Sequence, residues 1–98
     1  MIVDVEGVLF RWQSRSDAWY FAPLPEEVSA DIREVPRPGR GFGSVPVHVT
    51  VGSSQWRTSI FPDSARGVYV LPLKKSVRER EGISEGDTVR ARLEIVDG

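Results

Sequence analysis

Val45-Pro46-Val47-His48-Val49-Thr50-Val51-Gly52-Ser53-Ser54-Gln55-Trp56-Arg57-Thr58-Ser59-Ile60 carries the clearest β signal in the chain. Four valines alternate with Pro, His and Thr, the two-residue period of a half-buried strand. Gly52-Ser53 fits a two-residue type II′ turn, because glycine accepts the positive φ its first central position demands. A turn of that length leaves one register: Val51 opposite Ser54, Val49 opposite Trp56, His48 opposite Arg57 and Val47 opposite Thr58. The valines, Trp56 and Ile60 then share the buried face, while His48, Thr50, Arg57 and Ser59 share the other. Pro46, inside the run, predicts an edge strand or a bulge at that point.

Downstream, Phe61-Pro62-Asp63-Ser64 reads as a turn with proline at its second position. Gly67-Val68-Tyr69-Val70-Leu71 is apolar throughout, as a strand covered on both faces would be. Leu73 and Val77, one helical turn apart, anchor a short helix over residues 74–81. Gly82 is its left-handed cap, and Ile83 packs back behind it. After Ser84-Glu85-Gly86-Asp87, the alternation of Val89, Ala91, Leu93 and Ile95 with Arg90, Arg92 and Glu94 marks a last strand.

Upstream, Val3 and Val5 alternate with Asp4 and Glu6 until Gly7 shifts the phase to Val8, Phe10 and Trp12, which predicts a β-bulge. Residues 13–17 are turn material, and Ala18-Trp19-Tyr20-Phe21-Ala22 forms the second half of a hairpin. Leu24-Pro25-Glu26-Glu27 opens a helix: proline suits its first turn, and both glutamates face the positive end of the dipole. Val28, Ile32 and Val35 give it one apolar stripe, and Pro36 and Pro38 stop it. Residues 36–43 read as a mobile connector. The order β-β-α-β-β-β-α-β predicts one domain over residues 1–98, mainly β with two short helices. Its six short strands would form a small closed or half-closed barrel.

Composition narrows the function classes. With 98 residues, no cysteine and a net charge of −1, the chain has neither a disulfide staple nor a thiolate metal site. The first seven residues carry Asp4 and Glu6 and do not resemble a signal peptide. No apolar run approaches the length of a membrane helix. A cytoplasmic setting is expected. Residues 1–50 hold five arginines against seven acids; residues 51–98 hold eight basic groups against seven acids. That balance supports a local basic patch at most, so nucleic acid is not an expected partner.

Several stretches together resemble a known family. Gly43-Ser44-Val45-Pro46-Val47 leads to Trp56-Arg57-Thr58-Ser59-Ile60-Phe61-Pro62. Then come Tyr69-Val70-Leu71-Pro72-Leu73-Lys74 with Val77-Arg78, and Gly82-Ile83 before Gly86-Asp87-Thr88-Val89. With Trp19-Tyr20-Phe21 and Leu24-Pro25-Glu26-Glu27-Val28, these resemble the small bacterial family called domain of unknown function nineteen-oh-five. The resemblance implies a six-stranded double-split β-barrel, alone or fused to a bacteriocin-protection-type segment, and no established activity. The Gly86-Asp87 turn is also similar to that of swapped-hairpin transcription-factor and antitoxin barrels, a fold-level analogy only.

The residue types that carry chemistry are sparse. Gly39-Arg40-Gly41-Phe42-Gly43 enters a strand instead of opening a helix, so it reads as connector and not as a phosphate loop. As the start of an RNA-recognition octapeptide it lacks aromatics at Ser44 and Val47. His48 is the single histidine and has no second imidazole for a metal. With Arg57 opposite, it could serve as a general base, but no nucleophilic serine is placed beside it and it reads as an exposed strand residue, so no catalytic residue, metal or cofactor is expected. Asp87 reads as a turn residue bonding nearby backbone N–H groups. Trp12, Trp19 and Tyr20 could line a pocket, but in so small a domain they are expected in the core.

The basic helix stands apart. Lys74, Lys75 and Arg78 crowd the positive end of its dipole, against the preferred charge pattern. Two readings stay open. A capping box, Ser76-x-x-Glu79, would start the helix later, and Lys75–Glu79 and Arg78–Glu81 pairs would make a solvated face. Otherwise Lys74, Lys75 and Arg78, with Arg57 in support and Arg90 and Arg92 as extensions, form an anion site. The functional expectation is a non-enzymatic binding module for a small anionic ligand. The alternatives are a dimeric DNA-binding barrel of the swapped-hairpin kind, a protein-interaction module, or an enzyme of unknown class.

Overall fold

The structure, a computed structural model, describes residues 1–13, 18–34 and 43–96. The expected turn at 14–17, Val35 of the helix stripe and most of the connector at 36–43 lie outside the described residues. Seven strands and two helices follow in chain order: β1 (Ile2–Val8), β2 (Phe10–Gln13), β3 (Ala18–Pro23), α1 (Glu26–Glu34), β4 (Val45–Val51), β5 (Ser54–Asp63), β6 (Val68–Pro72), α2 (Lys75–Glu81) and β7 (Thr88–Ile95). The strands form one sheet in the order β1-β7-β4-β5-β6-β3-β2, antiparallel at every pairing. Its two outermost strands are consecutive in sequence, so the sheet curls back on itself around Leu9 into a half-barrel.

The Gly52-Ser53 hairpin has the predicted register, from Val51 opposite Ser54 to Val47 opposite Thr58, and Gly52 takes a φ of 57°. Val45, Val47, Val49, Val51 and Ile60 are buried in one core with Leu71, Leu73, Val89 and Leu93. Pro46 corrects the edge-strand expectation. β4 is central, flanked by β5 and β7. Its ladder with β7 ends at Val47 opposite Ile95, and the Pro46 carbonyl accepts from Val96 N. The missing donor therefore falls at the end of the ladder, where the sheet tolerates it.

Two expectations about local phase are also corrected. Gly7 does not shift the register: it pairs with Val89 in regular succession. Leu9 continues the inner set Val3, Val5 and Gly7 and is 1% exposed, whereas Val8 and Trp12 face outward. The first strand instead divides at Leu9, whose N–H donates to Asp87 O and whose carbonyl accepts from Gly86 N. That division makes seven strands where six were expected. Gly7 serves close approach: a Cβ there would lie 2.1 Å from Pro23 O.

The turn expected at Phe61-Pro62-Asp63-Ser64 comes later, because β5 runs through Asp63 before turning. Pro62 is accommodated because its partner Tyr69 aims its polar groups away from β5. Tyr69 O accepts from Leu24 N at 2.9 Å, and Tyr69 N donates to Ser29 Oγ at 3.0 Å. The start of α1 thus takes over from β3 as the hydrogen-bonding neighbour of β6. Ser29 and Ile32 are fully buried beneath the helix.

Candidate functional site

β3, β5, the end of β6 and α2 surround a cleft of about 740 Å³. Its floor and walls are largely aromatic: Trp19, Tyr20 and Phe21 from β3, and Trp56 and Phe61 from β5. Its remaining character is cationic. Lys74, Lys75, Arg78 and Arg57, the four residues singled out in the sequence, all line it. No carboxylate or histidine is among the described residues that do.

Hydrogen bonds of the loop before α2 fix this arrangement. Leu73 N donates to Tyr20 O at 2.9 Å, and Pro72 lies opposite Phe21, which seats the loop on β3. Lys74 is the N-cap, with extended backbone and no side-chain cap bond. The helix therefore starts at Lys75, the capping box at Ser76 is not used, and both lysines stay exposed beside the cleft. Gly82 closes the helix in the left-handed conformation and Ile83 packs against the core, as expected.

Arg78 differs in kind from the lysines. Its Nε donates to Leu73 O at 3.1 Å, and its guanidinium lies 3.9 Å from the Tyr20 ring centroid. A cation over a ring face is favoured by the ring quadrupole. Arg78 thus holds Tyr20 and the loop together while contributing charge to the cleft.

The pairs that would have neutralised the patch do not form. Among the described residues the ion pairs are Arg66–Asp63, Arg90–Glu6 and Arg92–Asp4. Glu81 instead accepts from Ser54 Oγ at 2.6 Å and Ser53 Oγ at 3.0 Å, tying α2 to the β4–β5 turn. Those hydroxyls hold its carboxyl below the ordinary glutamate value. Arg90 and Arg92 face Glu6 and Asp4 across the β1–β7 ladder and line a separate concavity. They do not extend the cleft. The hydrogen bond from Arg92 keeps the Asp4 carboxyl below its usual range.

His48 lies between Arg57 and Glu94 across three strands, half-buried, with Arg57 also lining the concavity there. Asp87 has the turn role read from the sequence: its Oδ2 accepts from Ser84 N at 2.8 Å.

The aromatic residues are where the sequence reading fell short. Trp12 and Trp19 were expected in the core but are 52% and 51% exposed. Paired positions explain this: Phe10 faces Phe21 and Trp12 faces Trp19 across β2–β3. All four then project from the outer face, with the Trp19 and Phe21 rings near-parallel at 12°. The available signal was the alternation itself, with Phe10 and Trp12 two apart and Trp19 and Phe21 two apart. Tyr20 is only half-buried and packs against the core as well as lining the cleft. Trp56, expected inside, does the same.

The family model described as "Domain of unknown function (DUF1905)" matches residues 6–93, nearly the whole chain. The chain belongs to the DUF1905 family. No curated protein matches it. The matched span of this DUF1905 domain takes in every residue of the cleft. The candidate site is therefore part of the family domain and not an appendage to it. No described helix is long and apolar enough to cross a membrane.

Proposed function

We propose that this DUF1905 domain is a non-enzymatic binding module whose cleft takes a small phosphate-bearing ligand. Lys74 and Lys75 hold the anion, Arg57 supports them, and Arg78 is both a cation and a brace. One observation carries the reading: four basic side chains, none in an ion pair with a described residue, line one aromatic concavity. Cavities of this size with a few convergent polar groups are the usual form of small-ligand sites. The lining offers no carboxylate or histidine as general base among the described residues, which favours binding over turnover.

The same reading takes the fold to be the six-stranded double-split barrel, with β1 and β2 as one bent strand. Its support is the position of these two strands at opposite ends of the sheet order and the approach of Gly7 to Pro23. A cytoplasmic, bacterial setting goes with it.

Thermal unfolding at low salt tests the binding reading. Pyrophosphate at tenfold its Kd should stabilise the fold by about 1.4 kcal/mol. That corresponds to a rise of roughly 6–11 °C in Tm for a domain of this size. The Lys74→Ala/Lys75→Ala variant should keep its unliganded Tm and lose most of the shift. An unchanged Tm across phosphate, pyrophosphate and sugar phosphates would end the proposal.

A further inference from the structure

We infer that the ligand of this cleft is a planar ring joined to a phosphate, in the manner of a nucleoside monophosphate or an aryl phosphate. The inference rests on the anion-binding reading and adds to it the part of the ligand that the lysines cannot recognise.

A bare phosphate would leave most of the roughly 740 Å³ to water. The lysines lie at the start of α2, and five aromatic rings, Trp19, Tyr20, Phe21, Trp56 and Phe61, make up much of the remaining wall. Trp19 is half exposed, although burying so large an apolar side chain is normally favourable. Its near-parallel packing on Phe21 fixes the indole plane, and the Arg78 bridge to Tyr20 fixes the adjoining ring. Fixed aromatic faces beside ammonium groups that pair with no described carboxylate are complementary to a flat ring carrying an anion. Stacking serves any such ring, because every base has a π-face.

The neighbouring concavity argues for one ring and against a nucleic-acid strand. It holds about 320 Å³ and shares Phe21 and Phe61 with the cleft, adding Phe10 and Trp12. Its carboxylate, Asp63, is paired with Arg66, whose guanidinium covers the Phe10 ring at 3.5 Å. Its lining has no basic residue among those described, and the neighbouring Arg66 is committed to Asp63, so among the described residues this part of the aromatic face offers no free cationic track for a strand's backbone.

Tryptophan fluorescence and thermal shift at low salt separate the contributions, using inorganic phosphate, ribose 5-phosphate, adenosine, AMP, p-nitrophenyl phosphate and a ten-residue oligothymidylate. AMP and p-nitrophenyl phosphate should bind at least roughly tenfold more tightly than ribose 5-phosphate and quench the fluorescence. Trp19→Ala should remove that advantage while leaving ribose 5-phosphate binding intact. Trp19→Phe should keep part of the advantage, and Trp12→Phe, in the next concavity, should keep all of it. If ribose 5-phosphate and AMP bind equally, the ring inference falls and the anion site stands. If no phosphate compound binds, both fall. Oligothymidylate binding far above AMP, with a steep salt dependence, would make the occupant a strand and overturn the inference.

Discussion

Removing the hydroxyl of Ser29 should destabilise the domain more than any exposed polar deletion. The hydroxyl is fully buried and accepts from Tyr69 N at 3.0 Å. Among the described residues Tyr69 has no other strand neighbour on that side: β3 pairs with β6 only from Val70 onward, and the Tyr69 carbonyl already serves Leu24. Ser29→Ala therefore leaves a buried backbone N–H without a partner, at a cost of about 1–3 kcal/mol. For a domain of this length that lowers Tm by roughly 5–20 °C, a large share of the usual 5–15 kcal/mol total stability. Urea unfolding followed by tryptophan fluorescence measures it directly. The midpoint should fall with the slope m unchanged, since the area exposed on unfolding is the same. A loss below roughly 0.5 kcal/mol, the range of neutral surface changes, would refute the claim that α1 stands in for a strand at Tyr69.

Other consequences follow from individual contacts. Gly7→Ala would put a Cβ 2.1 Å from the Pro23 carbonyl oxygen, a backbone atom that no side-chain rotation can move aside, so β1 must move away from β3. A loss of about 2–3 kcal/mol or more in chemical unfolding is expected, as for other overpacked sites. Ser76→Ala should stay within about 0.5 kcal/mol of wild type by the same measurement, because Ser76 is exposed and Lys74 occupies the N-cap. A loss nearer 1 kcal/mol would reinstate the capping box. The depressed Glu81 carboxyl stabilises the fold above its unfolded-state value, and that contribution is lost as pH falls through the lower folded-state value. Glu81→Gln should accordingly be less stable than wild type near neutrality, with the gap closing in acid. A gap constant across an acid titration of Tm would show that the carboxylate charge plays no part.

Local periodicity carried most of the fold. The β4–β5 register, the Gly82 cap and the β7 alternation follow from rules that act over a few residues. The errors share a physical cause: each concerns where a strand lies in the sheet, which periodicity does not encode. Pro46 suggests an edge until β7 is known to pair on its far side only from Val47 onward. Gly7 suggests a bulge until Pro23 is found against it. Val8, Phe10 and Trp12 read as the apolar set of the strand after Gly7. Apolarity says that a residue prefers burial, not that enough surface exists to bury it.

The candidate site divides along the same line. Its cationic half was legible because charges at the wrong end of a helix dipole are a local conflict, visible without coordinates. The conflict survives folding only for the two lysines, which find no described ion-pair partner while Glu81 is committed to Ser53 and Ser54; Arg78, expected at the positive end, falls instead in the last turn of α2, where the dipole favours a cation. Its aromatic half was hidden because Trp19 and Trp56 come from distant strands and face one space only after the sheet curls. The two halves are linked through Arg78, which binds the Leu73 carbonyl and covers Tyr20. Replacing Arg78 should thus loosen the aromatic wall as well as remove a charge. Arg78→Lys keeps the charge but loses the planar guanidinium that bonds and stacks together. Its affinity for pyrophosphate should survive better than its unliganded Tm. The reverse pattern, with stability kept and affinity lost, would make Arg78 an anion ligand first and a brace second.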